Sequence, residues 1–330
     1  MKAFAIEAYN QDPKFIDQTK PQINDEEVFI EIHAASINPL DSKIRKGELK
    51  ALLEYDMPLV LGNDFSGTVV EKGKNVTKFN IGDEVYGKPR SEKMGTFTEY
   101  IALNEAEIAL KPTNLSFEEA AGIPLVGLTS YQVFNDILNL NKDDKILIHA
   151  GSGGVGTFAI QLAKAMGAYV ATTSSDGIDL AKSMGADQVI NYKTENFDDI
   201  IQDFDAVLDT IGGDTLEKSF KSVKKGGDII SIAGPPNEAF AEKMGFGFVK
   251  RKIFSTISRK VTNLEKEYGV DYMFYFMEHN GKQLETLTKL LEEGTVKSVI
   301  DRVYPFEEAE DALNYSETGK AKGKIILKMK

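Results

Sequence analysis

The chain has 330 residues, of which 42% are hydrophobic and 27% charged, and it contains no cysteine. This length is too great for one compact core and predicts two domains. The lack of cysteine excludes disulfides, a thiolate nucleophile and thiolate metal ligands. A formal net charge of -12 with interspersed signs disfavours nucleic acid and an anionic membrane as partners. Because there is no apolar run of about 20 residues and no signal-like N-terminus, we expect a cytoplasmic protein.

The first third of the chain is typical of β structure. Short or alternating apolar runs, punctuated by Gly, Pro, Asn and Asp, predict strands at 1–8, 28–35, 67–71, 84–86 and 98–103. Several short strands with turns favour a barrel-like domain over about 1–115. Ser116 is a plausible N-cap, and a helical pattern follows from 120 to 140 with interruptions near Pro124 and Gly127.

Strand and helix patterns then alternate. The predicted strands are 145–150, 168–173, 188–190, 205–209 and 227–233, and the predicted helices are 155–166, 177–184, 196–202 and 213–223. This alternation predicts a doubly wound parallel sheet. Farther on, the basic stretch 243–266 predicts a surface helix, and the aromatic run 272–277 a buried strand. Helices at 283–293 and 307–315 and a strand at 323–330 complete the prediction.

The most informative stretch is 145–167, KILIHAGSGGVGTFAIQLAKAMG, because it combines a short apolar strand, a glycine turn and a helical pattern. The turn 151–156 (GSGGVG) fits G-x-G-x-x-G. Glycines allow a sharp turn close to a pyrophosphate, and the following helix directs its free N–H groups at that anion. Since the strand, turn and helix stand in the required order, we predict a dinucleotide site. Its predicted contacts are Gly151, Gly153, Gly154 and Val155.

Four phrases resemble one known family. They are 37–43 (INPLDSK), 62–69 (GNDFSGTV), 82–87 (GDEVYG) and 150–156 (AGSGGVG). Together they are similar to the medium-chain dehydrogenase/reductase superfamily, in particular its zinc-free quinone oxidoreductase (zeta-crystallin-like) and alkenal/enone reductase branch. The resemblance implies an α/β chain with a GroES-like β-rich catalytic domain at 1–115 and 280–330. A Rossmann domain with a doubly wound parallel sheet would occupy 116–279.

The positions that match the catalytic zinc ligands of zinc-dependent relatives are Asn38, Asn63 and Asp64. Two amides and one carboxylate do not form the nitrogen and sulfur site that zinc prefers. The three histidines of the chain show no ligand spacing and are expected to be structural or on the surface. We therefore predict that no metal is bound.

Without zinc, oxidation of an alcohol loses its Lewis acid. An acceptor that is already activated, such as a quinone or an α,β-unsaturated carbonyl, can still receive a hydride. The resulting prediction is NADPH-dependent reduction of such small molecules. The alternatives are an NADPH-binding protein with a structural or regulatory role and, less favoured, a zinc alcohol dehydrogenase. Asn38 and Asp41 are candidates for orienting substrate or water, although Asp41 could equally be a turn residue, and the final proton could come from solvent.

The resemblance also implies cofactor contacts. Ser174, Ser175 and Tyr192 match the residues that hold the 2′-phosphate of NADPH, whereas Ile178 stands where those relatives have a lysine, with Asp176 nearby. NADPH is therefore favoured over NADH, with Lys193 or Lys43 as substitutes for the missing charge.

Further positions match segments that contact the cofactor or line the nicotinamide end. They are Lys43, Thr129, Ile232 and Lys320. The substrate and the oligomeric state stay open, with a homodimer as one alternative.

Overall fold

The structure is a computed structural model that describes all 330 residues. The strands are β1 (Lys2–Ile6), β2 (Lys14–Asp17), β3 (Glu27–Ile37), β4 (Leu59–Val60), β5 (Asp64–Lys72), β6 (Glu84–Gly87), β7 (Tyr100–Asn104), β8 (Ile108–Leu110), β9 (Lys145–Ile148), β10 (Tyr169–Ser174), β11 (Gln188–Asn191), β12 (Phe204–Asp209), β13 (Val223–Ser231), β14 (Asp271–Phe274), β15 (Ile300–Pro305) and β16 (Lys324–Lys328).

The helices are α1 (Pro39–Arg45), α2 (Phe117–Ala121), α3 (Pro124–Tyr131), α4 (Gly154–Ala165), α5 (Ile178–Ser183), α6 (Phe197–Ile200), α7 (Gly213–Ser219), α8 (Glu238–Lys243), α9 (Phe248–Ile257), α10 (Arg259–Tyr268), α11 (Gly281–Glu292) and α12 (Ala309–Glu317). A π-helical segment, Gln132–Ile137, continues α3. No helix combines the length and the apolar character that crossing a bilayer requires.

The chain divides into two compact units. The first contains Met1–Thr129 and Glu278–Lys330, and the second contains Ser130–Met277. The first boundary differs from the predicted division at 115/116. The reason is that α2 packs on β3 and β5, where Ala121 joins a small apolar cluster with Ala34 and Ile326.

The first unit is built on a seven-stranded sheet in the order β15-β16-β3-β5-β6-β8, with β7 paired to β3. All its strand pairs are antiparallel except β15 with β16. A separate three-stranded sheet has the order β2-β1-β4. One apolar core contains side chains of β3 and β5, including Ile30, Ile32 and Phe65. A second apolar core contains Phe4 and Leu313.

The second unit contains one sheet of six strands in the order β11-β10-β9-β12-β13-β14, and every pair is parallel. Counted from β9, this is the order 3-2-1-4-5-6 of a Rossmann fold, in which ligands bind beyond the carboxyl ends of the strands. Strand β9 contributes Ile146, Leu147 and Ile148, all fully buried, as expected for a central strand covered on both faces.

Three local predictions need correction. The basic stretch 243–266 does not form a single helix, because α8 ends at Lys243 and two further helices, α9 and α10, follow. Strand β14 is an edge strand whose Met273 is 44% exposed, so it is only half-buried. Strand β15 was not predicted, because its charged and largely exposed sequence lacks an apolar run.

Candidate cofactor turn and polar cluster

The glycine turn connects β9 to α4, and two of its glycines are required by packing. A Cβ on Gly151 would lie 2.1 Å from Thr172 Oγ1, and a Cβ on Gly156 would lie 2.2 Å from the carbonyl oxygen of Ala150. A Cβ on Gly153 would meet only that carbonyl oxygen, at 3.3 Å. Gly151 and Gly156 thus hold strand, turn and helix together, whereas Gly153 leaves space on the outer side of the turn.

The first turn of α4 has the character of an anion site. Its N-cap is Gly153, which has no side chain to accept a hydrogen bond, so the first amides of the helix lack a capping partner. These amides belong to Gly154, Val155 and Gly156, and the positive end of the helix dipole lies at the same place. The space beside Gly153, which a side chain would fill, fits the pyrophosphate of a nicotinamide dinucleotide. The uncapped amides fit the same group, because they can donate to its oxygens.

The predicted 2′-phosphate residues follow two neighbouring parallel strands, β10 and β11. Ser175 Oγ donates a hydrogen bond to the hydroxyl of Tyr192 at 2.9 Å, and Tyr192 is 57% exposed. Ser174 is buried, and its Oγ donates to Ser152 Oγ within the glycine turn at 3.0 Å. Ser175 and Tyr192 therefore present hydroxyls to solvent, while Ser174 braces the turn.

The charge next to these hydroxyls is balanced. Lys193 Nζ lies 3.1 and 3.2 Å from the two carboxylate oxygens of Asp176, and both side chains are more than half exposed. Lys193 was one candidate to replace the lysine that Ile178 displaces. Since its ammonium is paired with a carboxylate, it offers less attraction to a 2′-phosphate than an unpaired lysine would.

His149 lies beneath the glycine turn and is fully buried. Its Nδ1 is 3.1 Å from Thr173 Oγ1 and its Nε2 is 2.9 Å from Ser219 Oγ. Burial lowers the pKa of His149 to about 4, against a smaller opposing effect of Asp209, so the ring is neutral at physiological pH. With both nitrogens occupied inside the fold, His149 acts as a structural residue.

The first unit contains a polar cluster formed by Ser36, Asn38, Asp41, Asn63, Asp64 and Lys324, all of them buried. At its centre, Asp64 Oδ2 accepts hydrogen bonds from Ser36 Oγ at 2.9 Å and from Asn38 Nδ2 at 2.9 Å. Lys324 Nζ lies 3.2 Å from the same oxygen, and the backbone N–H of Leu125 donates to Oδ1 at 2.8 Å. Asp64 is thus a carboxylate held by four donors.

Asn38 and Asp41, the predicted catalytic residues, both lie in the polar cluster. Asn38 is the N-cap of α1, and its backbone N–H donates to Asp41 Oδ2 at 2.7 Å. Asn63 Nδ2 donates to Asp41 Oδ1 at 2.8 Å, and Lys324 Nζ donates to Asn38 Oδ1 at 2.5 Å. Both side chains are engaged within the protein, so the geometry explains their structural role, and their role in catalysis stays a prediction.

Burial raises the pKa of Asp41 to about 7. The hydrogen bonds from the Asn38 N–H and the Asn63 amide favour the ionised form but do not offset the loss of hydration. Asp64 raises this pKa further, and Lys324 lowers it. Asp41 therefore changes charge near neutral pH inside the first unit.

Sequence reasoning missed three buried lysines, Lys88, Lys111 and Lys324. Lys324 is 4% exposed and completes the polar cluster, and Lys88 is 1% exposed. Lys88 Nζ donates to the carbonyl oxygen of Pro89 at 3.0 Å and to Ser91 Oγ at 3.1 Å, and burial lowers its pKa to about 8. A lysine gives no local signal of burial. Only the position of Lys324 between Gly323 and the apolar residues of β16 could have drawn attention to it.

The remaining predicted contacts are spread over both units. In the first unit, Lys43 is partly buried on α1, Thr129 is buried on α3, and Lys320 is exposed between α12 and β16. Ile232 lies in the second unit, half-buried directly after β13, where its N–H donates to the carbonyl oxygen of Asp209 at 3.0 Å. Their contacts with a cofactor stay predictions.

Comparison with known proteins places this arrangement in a family. A model described as alcohol dehydrogenase GroES-like domain matches residues 24–113, and one described as zinc-binding dehydrogenase matches residues 184–327. The 2-methylene-furan-3-one reductase of Solanum lycopersicum is 39% identical over 321 residues, covering 93% of this chain and 73% of that protein. The chain belongs to the medium-chain dehydrogenase/reductase family.

Two further similarities refine its place in the medium-chain dehydrogenase/reductase family. A chloroplastic NADPH-dependent alkenal/one oxidoreductase of Arabidopsis thaliana is 35% identical over 321 residues, covering 93% of this chain and 73% of that protein. The solved structure of a quinone oxidoreductase from Coxiella burnetii matches with a TM-score of 0.86 and 33% identity, covering 100% of this chain and 99% of that one. The predicted fold class is confirmed, and the protein is an oxidoreductase that uses a nicotinamide cofactor.

The second family model is described as a zinc-binding dehydrogenase, so the residues at the expected zinc-ligand positions can be compared with that description. The matched residues 184–327 do not contain Asn38, Asn63 or Asp64. The structure brings together no group of three or more His, Cys, Asp or Glu side chains that could hold a metal ion. In this dehydrogenase/reductase, Asn38 and Asp64 form hydrogen bonds with each other and with Lys324, and Asn63 donates to Asp41.

Proposed function

We propose that this protein is an NADPH-dependent reductase that transfers a hydride to quinones or α,β-unsaturated carbonyl compounds without a metal ion. One combination of features carries the proposal. The glycine turn and the uncapped start of α4 fit a pyrophosphate, while the positions matching zinc ligands hold two amides and a carboxylate. The relatives named as alkenal/one and 2-methylene-furan-3-one reductases support the same chemistry.

The bound nicotinamide would supply the hydride. The chain supplies binding and orientation: the amides of Gly154, Val155 and Gly156 hold the pyrophosphate, and Gly153 keeps the approach open. Positioning of two reactants is a large part of such catalysis. A conjugated acceptor moves negative charge onto its own oxygen, so it has less need of a Lewis acid than a simple alcohol or ketone.

The preference for NADPH is supported by the exposed hydroxyl of Tyr192, which accepts a hydrogen bond from Ser175 and keeps its own hydrogen to donate to a 2′-phosphate. The exposed carboxylate of Asp176 acts against it, because it repels that phosphate and pairs with Lys193. We therefore propose NADPH as the favoured cofactor, with measurable use of NADH.

We propose that the proton added after hydride transfer comes from solvent. The carboxylate oxygens of Asp41 are both occupied by donors within the polar cluster. The hydroxyl of Tyr55 donates to the carbonyl oxygen of Ser91 at 2.7 Å, and burial raises its pKa. Neither group is placed as an evident proton donor.

The deciding experiment is a substrate panel. Purified protein is mixed with NADPH or NADH and with enals, enones and quinones, and oxidation of the reduced nicotinamide is followed by absorbance. Saturated aldehydes and ketones of the same carbon skeleton are the matched controls. We expect turnover of conjugated acceptors only, and faster turnover with NADPH.

If no acceptor causes oxidation of NADPH, but a thermal-shift assay shows tight NADPH binding, the results would instead support a cofactor-binding protein with little catalysis. Turnover of alcohols that depends on added zinc would contradict the proposal in a different way. The two outcomes are distinguishable within the same set of measurements.

A further inference from the structure

The buried ammonium of Lys324 is linked to the starts of two helices, directly to α1 through Asn38 and indirectly to α3 through Asp64. Its Nζ lies 2.5 Å from Oδ1 of Asn38, which is the N-cap of α1. It lies 3.2 Å from Oδ2 of Asp64, whose other oxygen accepts the N–H of Leu125 in the first turn of α3. Strand β16, where Lys324 is the first residue, therefore joins α1 and α3 inside the first unit.

Lys324 is the lysine that donates a hydrogen bond to Asp64, whereas Lys88 acts on Asp64 only through longer-range attraction. Asp64 is fully buried, and its other three donors, Ser36, Asn38 and Leu125, are neutral. A buried carboxylate without a cation is costly, so loss of the ammonium would weaken the hold of Asp64 on its other partners. Lys88, which is also buried, attracts Asp64 electrostatically but donates its hydrogen bonds to Pro89 and Ser91.

The two helices carry residues that the family resemblance assigns to the cofactor. Helix α1 carries Lys43, and helix α3 carries Thr129. We propose that Lys324 is a positioning residue of the reductase, which fixes the starts of α1 and α3 through Asn38 and Asp64 and thereby sets the placement of Lys43 relative to Thr129. This inference rests on the proposed function, because the two placed residues matter only if they contact the cofactor.

The inference predicts a loss of turnover that exceeds the loss of stability. Small displacements of positioning groups reduce turnover strongly, since a misplacement of about 1 Å can cost roughly 100-fold. We expect Lys324→Met to lower kcat at saturating NADPH and acceptor by about 10- to 100-fold and to weaken NADPH binding by a few-fold. Lys324→Arg retains the cation and should recover most of the lost kcat.

The matched control is Lys111→Met. Lys111 is a buried lysine of the same unit, 8% exposed, whose Nζ donates to the carbonyl oxygens of Pro112 and Leu115 and pairs with Glu84. It has no contact with the polar cluster. Its loss should lower the Tm while kcat stays within about twofold, as expected for an effect on stability alone.

A double variant keeps the test decisive if Lys324→Met folds poorly. Lys324→Met with Asp64→Asn removes both charges, and the new amide oxygen can still accept the N–H of Leu125. We expect the double variant to regain Tm but not kcat. If kcat returns together with Tm, or if Lys324→Met behaves like Lys111→Met, then Lys324 is only a structural residue and the inference is overturned.

Hydrogen exchange provides a readout that does not depend on turnover. In Lys324→Met, amides of α1 and α3 should exchange at least about tenfold faster than in the wild type, while those of α4 are unchanged. Unchanged protection of α1 and α3 would contradict the inference. Failure of the wild type on every acceptor would contradict the proposed function, and exchange would still decide whether Lys324 fixes the two helices.

Discussion

The glycine turn and the polar cluster are built in opposite ways. The turn is one contiguous segment, 151–156, whose function depends on side chains that are missing. The polar cluster is filled with polar side chains, and its residues come from distant parts of the chain, with Asp64 and Lys324 separated by 260 positions. The predicted cofactor turn is therefore encoded locally, whereas the polar cluster is assembled by the tertiary fold.

This difference determines how each region tolerates change. At the turn, a methyl group added to Gly156 meets backbone atoms, and one added to Gly151 meets the buried side chain of Thr172. In the polar cluster, volume matters less than charge, because each buried ion depends on a partner from another element. Substitutions at the two regions should consequently be distinguishable by whether their effects depend on pH.

The largest effect is expected for Gly156→Ala. Its Cβ would lie 2.2 Å from the carbonyl oxygen of Ala150 and 2.7 Å from Gly151 Cα, both backbone atoms. We expect a loss of about 3 kcal/mol in the free energy of unfolding and loss of NADPH binding. Urea unfolding and a fluorescence titration with NADPH measure the two effects.

Gly153→Ala is the matched control within the same turn. Its Cβ would meet only one atom, at 3.3 Å, so stability should change by less than about 1 kcal/mol. NADPH binding should still weaken by about tenfold, because the methyl group projects into the approach to the amides of α4. Equal stability losses in the two variants would contradict the interpretation that Gly156 is required for packing and Gly153 for access of the cofactor.

A smaller, pH-dependent effect is expected for Asp41→Asn. Burial raises the pKa of Asp41 to about 7 from its ordinary value of 3.8, so the folded protein holds this proton over a range where the unfolded chain has released it. The wild type therefore loses stability as pH rises from about 4 to about 7, and the loss levels off above that range. The Asp41→Asn variant has no ionisable group at this position, so it should lack this loss of stability.

The measurement compares urea unfolding of the wild type and Asp41→Asn at pH 5.5 and pH 8. The difference between the two proteins should shift against the wild type by on the order of 2 kcal/mol. Asp56→Asn, at an exposed position of the same unit, is the control and should show no comparable shift. A pH-independent difference would mean that Asp41 is ionised throughout the range.

The parts of this molecule that could be predicted from sequence are those with local patterns. The alternation of strands and helices and the turn 151–156 predicted the Rossmann unit, because each element carries its own periodicity and punctuation. Strand β15 was missed because it is charged and exposed, and its pairing with β16 depends on a distant segment. The extra helix boundaries after Lys243 depend on packing that composition does not show.

The same reasoning applies to the candidate site. Motif matches brought Asn38, Asp41, Asn63 and Asp64 to attention, and the structure places all four in the polar cluster. Their partner Lys324 was not predicted, because nothing in a lysine near the end of a strand signals that it will be buried against residues so far away in sequence.

The smallest expected effect concerns cofactor preference. Asp176→Asn removes the carboxylate that pairs with Lys193 next to Ser175 and Tyr192. Because the remaining ammonium attracts a 2′-phosphate, the KM for NADPH should fall by about three- to tenfold, while the KM for NADH stays unchanged. Steady-state kinetics with each cofactor measure the change.

Asp179→Asn removes an exposed carboxylate from the nearby helix α5 and is the control for net charge. It should alter the KM for NADPH by less than about twofold, because an exposed charge is screened by salt. If instead Asp176→Asn raises the KM for NADH, the carboxylate binds the ribose hydroxyls, and the protein favours NADH more than we propose.

The separation of Asp64 from Lys324 has a consequence for biosynthesis. A ribosome makes Lys324 260 positions after Asp64, and β16 inserts between β15 and β3 only after that. The second unit, Ser130–Met277, is contiguous and can fold while translation continues. A nascent chain thus carries Asp64 without its ion-pair partner, and premature termination before residue 324 would leave the second unit intact but the first unit without the ammonium that pairs with Asp64.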